Sequence, residues 1–278
     1  MPTIREAWQI GRAQLSESPT PALDARLLLE LVLGHDHAWL VAHDDEPLAA
    51  DTTAIYRALL DRAAAHEPIP YLTGHAPFLG LDFAVSHDVL IPRPETEQLV
   101  EMAAEWADGR GAIRVVDVGT GSGCIAVSLA RRLPRASVAA VDISAEALAV
   151  ATVNARHHAP DRIRFVRGDL LAAFAPGLDL IVANLPYIAE HEWPSLAIGV
   201  KFYEPALALN GGVDGLDHYR NLLPQAAERL RTGGLILLEI GWRQGEAVMA
   251  LARQSWPEAD IRVQIDFAGR DRIVVIQT

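Results

Sequence analysis

The chain has 278 residues, half of them hydrophobic, enough for one large core and a smaller second domain. Its 36 acidic and 24 basic residues give a formal net charge of −12, which works against sequence-independent binding to a phosphate backbone; the arginines are scattered, and Lys201 is the only lysine. Cys124 is the only cysteine, so an intramolecular disulfide and a cysteine-based structural zinc site are excluded.

No apolar run approaches the ~18 residues of a membrane helix. The opening Met1-Pro2-Thr3-Ile4-Arg5-Glu6 has neither the basic start nor the apolar stretch of a secretory signal. The expectation is a cytoplasmic protein with no membrane and no nucleic-acid partner. His157 and His158 lack a carboxylate or cysteine partner set, so no metal site is expected, and no heptad or apolar stripe marks an interface, so a monomer is.

From Ile4 to about Ala65 the apolar residues recur at helical spacing, as in Ile4, Ala7, Trp8 and Ile10 and again in Leu27, Leu28, Leu31 and Val32. Thr20-Pro21 reads as an N-cap followed by proline at the first helical position, Gly34 as a stop, and Asp51 as the cap of a third helix through Tyr56, Leu59 and Leu60. Between Pro68 and Pro94, the residues Phe78, Leu79, Leu81, Phe83 and Val85 around Gly80 predict a short β-hairpin. From Ala112 onward, β-branched runs alternate with helical patterns: 113–118, 138–141, 163–166, 178–183, 235–240 and 273–276. This predicts a helical domain over 1–74, a hairpin linker over 75–94 and an α/β domain with a mostly parallel sheet over 95–278.

The first strand of the α/β part, containing Asp117, runs into Gly119-Thr120-Gly121-Ser122-Gly123 and then a helical stretch from Cys124 to Arg132. Such a turn exposes bare backbone N–H groups at the positive end of a helix, where a ligand can approach closely. The spacing is not that of dinucleotide binders, and no lysine follows as in a P-loop. Alone, the turn could simply connect strand to helix. Asp142 ends the next strand, where it could accept both ribose hydroxyls of a nucleoside or merely charge a helix start; Asp169 follows the third strand, where it could meet an adenine amino group or merely shape a turn. Three strand ends in register favour the ligand.

This order of glycine loop and acidic strand ends resembles the class I methyltransferases. The resemblance implies a Rossmann-like α/β fold with a seven-stranded, mostly parallel sheet, S-adenosyl-L-methionine as cofactor, and Asp117, Gly119, Thr120, Gly121, Ser122, Gly123, Asp142, Asp169, Leu170 and Asn184 as residues that hold it. The sulfonium carries positive charge and no phosphate, which suits a loop preceded by Asp117 and lacking basic residues.

The fourth strand ends in Asn184-Leu185-Pro186-Tyr187, which resembles the N/D-P-P-Y signature of methyltransferases acting on planar nitrogens, with Leu185 in place of the first proline. By that resemblance these four residues are catalytic. An amide nitrogen is a poor nucleophile, and accepting both its N–H bonds, at the Asn184 side-chain oxygen and the residue 185 carbonyl, would pin and polarise it. Residue 185 would contribute only a carbonyl, so leucine can serve; Pro186 would keep it extended, and Tyr187 could stack on the planar group.

Further segments resemble the release-factor glutamine methyltransferases, the HemK/PrmC family: Pro70-Tyr71-Leu72-Thr73-Gly74, 89–97, Tyr203-Glu204-Pro205, 237–245 and Gly269-Arg270-Asp271-Arg272. The resemblance implies that the partner is a peptide-chain release factor and that the substrate is the glutamine of its Gly-Gly-Gln loop. Competing readings are a glutamine methyltransferase of a ribosomal protein, an adenine amino-methyltransferase, disfavoured by the missing basic groove, and a non-catalytic S-adenosylmethionine-binding module. Arg93 and Glu97 could strap the cofactor or form a surface ion pair. Phe78, Phe83 and Trp242 read as core, and His218 as ordinary surface or core.

Overall fold

In the computed structural model, which describes residues 1–278, α1 (Ile4–Gln14) begins at a capping box. Thr3 Oγ1 accepts from Glu6 N at 3.2 Å while Thr3 N donates to Glu6 Oε2 at 2.9 Å, satisfying two amides that the first turn leaves without partners. Gly34 ends α2 (Pro21–Leu33) in the left-handed conformation at φ 69°, as a C-terminal glycine should. Thr20 precedes α2, but its hydroxyl donates to Asp24 Oδ1 at 3.0 Å instead of capping the backbone. A short helix absent from the sequence reading, α3 (His37–Ala42), is capped by Asp36.

The third long helix, α4 (Ala50–Ala64), corrects one expectation. Its cap is Ala49, and Asp51 lies inside the first turn, where its charge still complements the helix N-terminus. With α5 (Ile69–Thr73) these helices enclose a cluster of Leu28, Leu29, Leu60 and Tyr56. Gly11 is required there: a Cβ on it would lie 2.1 Å from the Tyr56 hydroxyl, which donates to Ala25 O at 3.1 Å. This unit comprises Met1–His75 together with Ala197–Tyr203, which carries the short helix α9 (Ile198–Tyr203). Tyr203 donates its hydroxyl to Ala65 O at 3.0 Å.

The second unit comprises Ala76–Leu196 and Glu204–Thr278. A hairpin of β1 (His75–Phe78) and β2 (Leu81–Ala84) turns at Leu79 and Gly80, both at positive φ (48° and 74°), the geometry of a two-residue hairpin loop. The main sheet contains β3 (Arg114–Val118), β4 (Ser137–Asp142), β5 (Ile163–Arg167), β6 (Leu178–Asn184), β7 (Leu230–Glu239), β8 (Asp260–Ile265) and β9 (Asp271–Gln277). Their order is β5-β4-β3-β6-β7-β9-β8, parallel except for β9, which is antiparallel to β7 and β8. The edge strand β8 escaped the sequence reading.

Alternation along the strands separates two apolar layers, since successive side chains leave opposite faces of a sheet. Leu180 and Val182 join one core with α6 (Pro94–Ala107), α7 (Cys124–Arg132) and α8 (Ala145–His158). Ile181 and Ala183 join the other with α10 (Asp217–Arg229) and α11 (Gly245–Ser255). The chain builds outward from β3 through β4 to β5 and then returns to place β6 on the other side of β3. The carboxyl ends of β3 and β6 therefore flank the switch point at which open α/β sheets bind ligands.

No helix is long and apolar enough to cross a membrane.

Candidate active site

After β3 the chain makes a turn whose three glycines all have positive φ: 72° at Gly119, 54° at Gly121 and 81° at Gly123. Two are also close-approach positions, because a Cβ at 119 would meet Leu185 Cδ2 at 2.9 Å and one at 123 would meet the Ala151 Cβ at 3.0 Å. Nothing lies within 4 Å of a Cβ at Gly121, so that stretch of backbone faces open space. Gly119 N and Thr120 N donate to Val141 O at 2.9 and 3.0 Å, tying the loop to the end of β4.

Asp117 sits beneath this loop, fully buried. Its Oδ2 accepts from the Thr120 hydroxyl at 2.6 Å and from Ala126 N at 3.1 Å, whereas Oδ1 has no partner. Burial pushes its carboxyl up to about 7, against the opposing pull of those two hydrogen bonds. Asp142 ends β4 and closes back on the loop: Oδ2 accepts from Gly121 N at 2.9 Å and Oδ1 from Ser144 N at 3.0 Å. Each of its oxygens keeps a second lone pair for a ligand. Past β5, Asp169 is exposed and Leu170 adopts a positive φ of 49°.

At the end of β6, Asn184 Nδ2 donates to the Thr96 hydroxyl at 3.2 Å, and Thr96 donates in turn to Glu239 Oε2 at 2.7 Å. Leu185 is buried in the apolar core, its side chain filling the space that Gly119 leaves. Tyr187 is held by its backbone: its carbonyl accepts from Gln244 Nε2 at 2.9 Å, and a Cβ on Gly211 would come within 2.8 Å of its Cα.

A cavity of about 380 Å³ opens over these strand ends, within the usual range for small-ligand sites. Gly119 to Ser122, Asp142, Asp169, Leu170, Asn184, Leu185 and Pro186 line it. Asp117, Gly123 and Tyr187 do not: Asp117 and Gly123 support the loop from below, and Tyr187 packs beside the second core.

Thr96, His218 and Arg93 also line the cavity. Thr96 falls in the segment 89–97 that carries the family resemblance but has no role legible there, and His218 lines the cavity instead of being ordinary surface or core. Arg93 also lines it, and its charge is met by Glu204, whose side chain is 1% exposed. Glu97 instead holds the hairpin turn, accepting from Leu79 N at 2.7 Å. Phe78 and Phe83 are core, as expected, but Trp242 is 48% exposed, with the Arg243 guanidinium 4.0 Å from its ring centre.

A strand–glycine turn–helix at the switch point, acidic residues at the next two strand ends and a seven-stranded sheet whose one antiparallel strand is β9 define a class I, Rossmann-like methyltransferase. Among solved structures, the chain resembles the Thermus thermophilus 16S rRNA N2 G1207 methyltransferase in complex with AdoMet and guanosine (TM-score 0.52, 19% identity, 73% of this chain and 49% of that one), a likeness of fold. Residues 6–74 match the PrmC N-terminal domain and residues 96–210 the methyltransferase small domain. The chain is 42% identical to the release factor glutamine methyltransferase of Koribacter versatilis over 98% of both chains, and 47% identical to that of Moorella thermoacetica over 97% of this chain and 96% of that one. It belongs to the release factor glutamine methyltransferase family.

Proposed function

We propose that the chain transfers a methyl group from S-adenosyl-L-methionine to the side-chain amide nitrogen of the glutamine in the Gly-Gly-Gln loop of a peptide-chain release factor. The products are N5-methylglutamine and S-adenosylhomocysteine. The single observation that carries this reading is near full-length similarity, 42% over 98% of both chains, to a protein named for release factor glutamine methylation. The reaction takes place in the cytoplasm, where peptide-chain release occurs, and the net charge of −12 accords with a partner that is not nucleic acid.

The cavity suits the cofactor. Gly121 presents bare backbone, the loop contributes no cation, and the buried Oδ1 of Asp117 lacks a partner beneath the place where a positively charged ligand would lie. Gly119 to Ser122 would hold its amino-acid end, with Asp117 and Gly123 supporting that loop from below, Asp142 the ribose, and Asp169 with Leu170 the adenine. When bound, S-adenosylmethionine supplies an electrophilic methyl group on a sulfonium.

The chain's own residues do the rest. Asn184 Oδ1, which takes no hydrogen bond from the protein, accepts one amide N–H, and the Leu185 carbonyl accepts the other. The two acceptors would draw electron density toward the nitrogen and hold the amide in one orientation at the site. As the nitrogen takes up the methyl group, one of its N–H protons would pass to water, so that the product amide is neutral. Pro186 fixes the direction of the Leu185 carbonyl, and Tyr187, anchored by Gln244, closes the far side of this segment.

The test is methyl transfer from labelled S-adenosylmethionine to a purified release factor, with mass spectrometry locating the label and a Gln→Ala loop variant as control. Label confined to that glutamine is the expected result. Label on a ribosomal protein alone would keep the chemistry and change the substrate, and cofactor binding without transfer to any of them would reject the enzyme.

A further inference from the structure

Glu239 is an expensive residue for its position. It ends β7 after Leu235, Ile236, Leu237 and Leu238, all buried, and is itself 1% exposed. Another aliphatic side chain would complete the strand at far lower cost, because a buried carboxylate loses its hydration. No cation neutralises it by direct contact: Arg272, on β9, donates to Asp266 and to Ile240 O. The hydrogen bond it receives comes from Thr96.

That bond sets the sense of a three-residue chain. β6 and β7 run parallel with Asn184 and Glu239 in register, and Thr96, in the first turn of α6, bridges their side chains. A hydroxyl has one proton. With the proton of Thr96 directed at a carboxylate, which can only accept, the lone pairs of Thr96 Oγ1 face Asn184, and only an N–H can satisfy them. The Asn184 amide must therefore turn its nitrogen to Thr96 and leave Oδ1 toward the cavity.

We infer that Thr96 and Glu239 are positioning residues, the carboxylate fixing the Thr96 hydroxyl and the hydroxyl holding the Asn184 amide with its acceptor oxygen toward the substrate nitrogen. This deepens, and rests on, the reading of Asn184 as the acceptor of the substrate amide. Without the relay the two faces of the Asn184 amide are nearly isosteric, and the reversed one would offer N–H to N–H.

The relay also predicts a pH response. Burial pushes the Glu239 carboxyl up to about 7. The charged and titratable groups around it are Arg93 and Glu95 at the start of α6, Arg272 on β9, Tyr187 after β6, Tyr219 on α10 and Cys124 at the start of α7. A protonated Glu239 can donate to Thr96, which frees the Thr96 proton for Asn184 Oδ1 and turns the Asn184 amide over. Turnover should thus fall on the acid side as Glu239 takes up its proton.

The experiment measures kcat, the KM for release factor and the S-adenosylmethionine Kd of the full chain from about pH 5.5 to 8.5, the window that brackets such a group. The variants are Thr96→Val, Thr96→Ser, Glu239→Gln and Asn184→Ala. Thr96→Val should lower kcat about 10- to 100-fold, the scale of a misplaced catalytic group, while leaving the cofactor Kd within about twofold. Thr96→Ser should restore most of the loss, which a purely packing role would not predict. Glu239→Gln should lower the plateau less and flatten the acid limb. Wild-type kcat in Thr96→Val, or an unchanged acid limb in Glu239→Gln, overturns the relay. If Thr96→Val does not fold, the Glu239→Gln pH profile and the near-wild-type kcat expected of Thr96→Ser decide. If Asn184→Ala loses turnover while Thr96→Val keeps it, only the relay fails; if Asn184→Ala keeps full turnover, the underlying reading of Asn184 fails.

Discussion

Leu185 reaches beneath the glycine loop until its Cδ2 would stand 2.9 Å from a Cβ placed on Gly119. The residue that departs from the N/D-P-P-Y pattern is thus fitted to the loop by shape, and the two positions should be coupled. Gly119→Ala should weaken S-adenosylmethionine binding through this clash and through its φ of 72°, where an alanine costs ~1 kcal/mol. Leu185→Ala removes the clash but opens a void, at roughly 2–5 kcal/mol of stability. In calorimetry of both single variants and the double variant, the second substitution should recover part of the affinity lost in the first. Strict additivity would mean that the two do not communicate.

Asn184→Ala should lower turnover far more than cofactor affinity, because Oδ1 acts on the amide being methylated. The expected loss is ~2.7–4 kcal/mol of transition-state stabilisation, by analogy with a lost oxyanion-hole donor. Turnover at the wild-type level would remove Asn184 from the chemistry.

Asp142→Ala should act at the other end of the cavity. It removes the acceptor of Gly121 N and Ser144 N along with the carboxylate proposed for the ribose, and should weaken S-adenosylmethionine binding by roughly 1–3 kcal/mol with a small change in kcat. Equal affinities measured by calorimetry would reject that role.

Asp117 gives a stability prediction whose sign is fixed. Its carboxyl titrates at about 7 in the folded chain, against an ordinary value of 3.8. Between those values the folded state binds the extra proton, so this contribution is complete below about pH 4 and is lost as pH rises through about 7. In denaturant melts of the cofactor-free chain, the stability of Asp117→Asn relative to the natural sequence should therefore rise across that window. A constant difference between the two chains would show that the carboxyl keeps an ordinary pKa.

The parts legible in the sequence were those carried by local pattern. The glycine turn between β3 and α7, the acidic ends of β4 and β5 and the Asn184 segment after β6 each lie within a few residues of their strand, and a strand's end is easy to read. Strand β8 is harder to read although Ile261, Val263 and Ile265 alternate with Arg262 and Gln264: only Ile261 and Val263 pack against the core, Ile265 is exposed, and the strand lacks the aliphatic run that marks β6 and β7. Asp51 has the residue type of a cap but stands two residues past the cap position, inside the first turn. The Thr96–Glu239 bond joins residues 143 apart, in two segments that carry the family resemblance, but no periodicity connects them. The exposed Trp242 runs against the usual fate of tryptophan because two arginines, Arg243 and Arg270, flank its ring.

The assignment of Ala197–Tyr203 to the helical unit means that gene order and compact bodies disagree. A truncation that starts the polypeptide near Pro94 would strip this segment of the Ala65 carbonyl that Tyr203 binds and of the His66 and Pro68 atoms lying against Gly199. The helical unit therefore cannot be lifted away or transplanted as a single cassette: a functional chimera would need two junction pairs, the second on either side of 197–203, chosen together with the first.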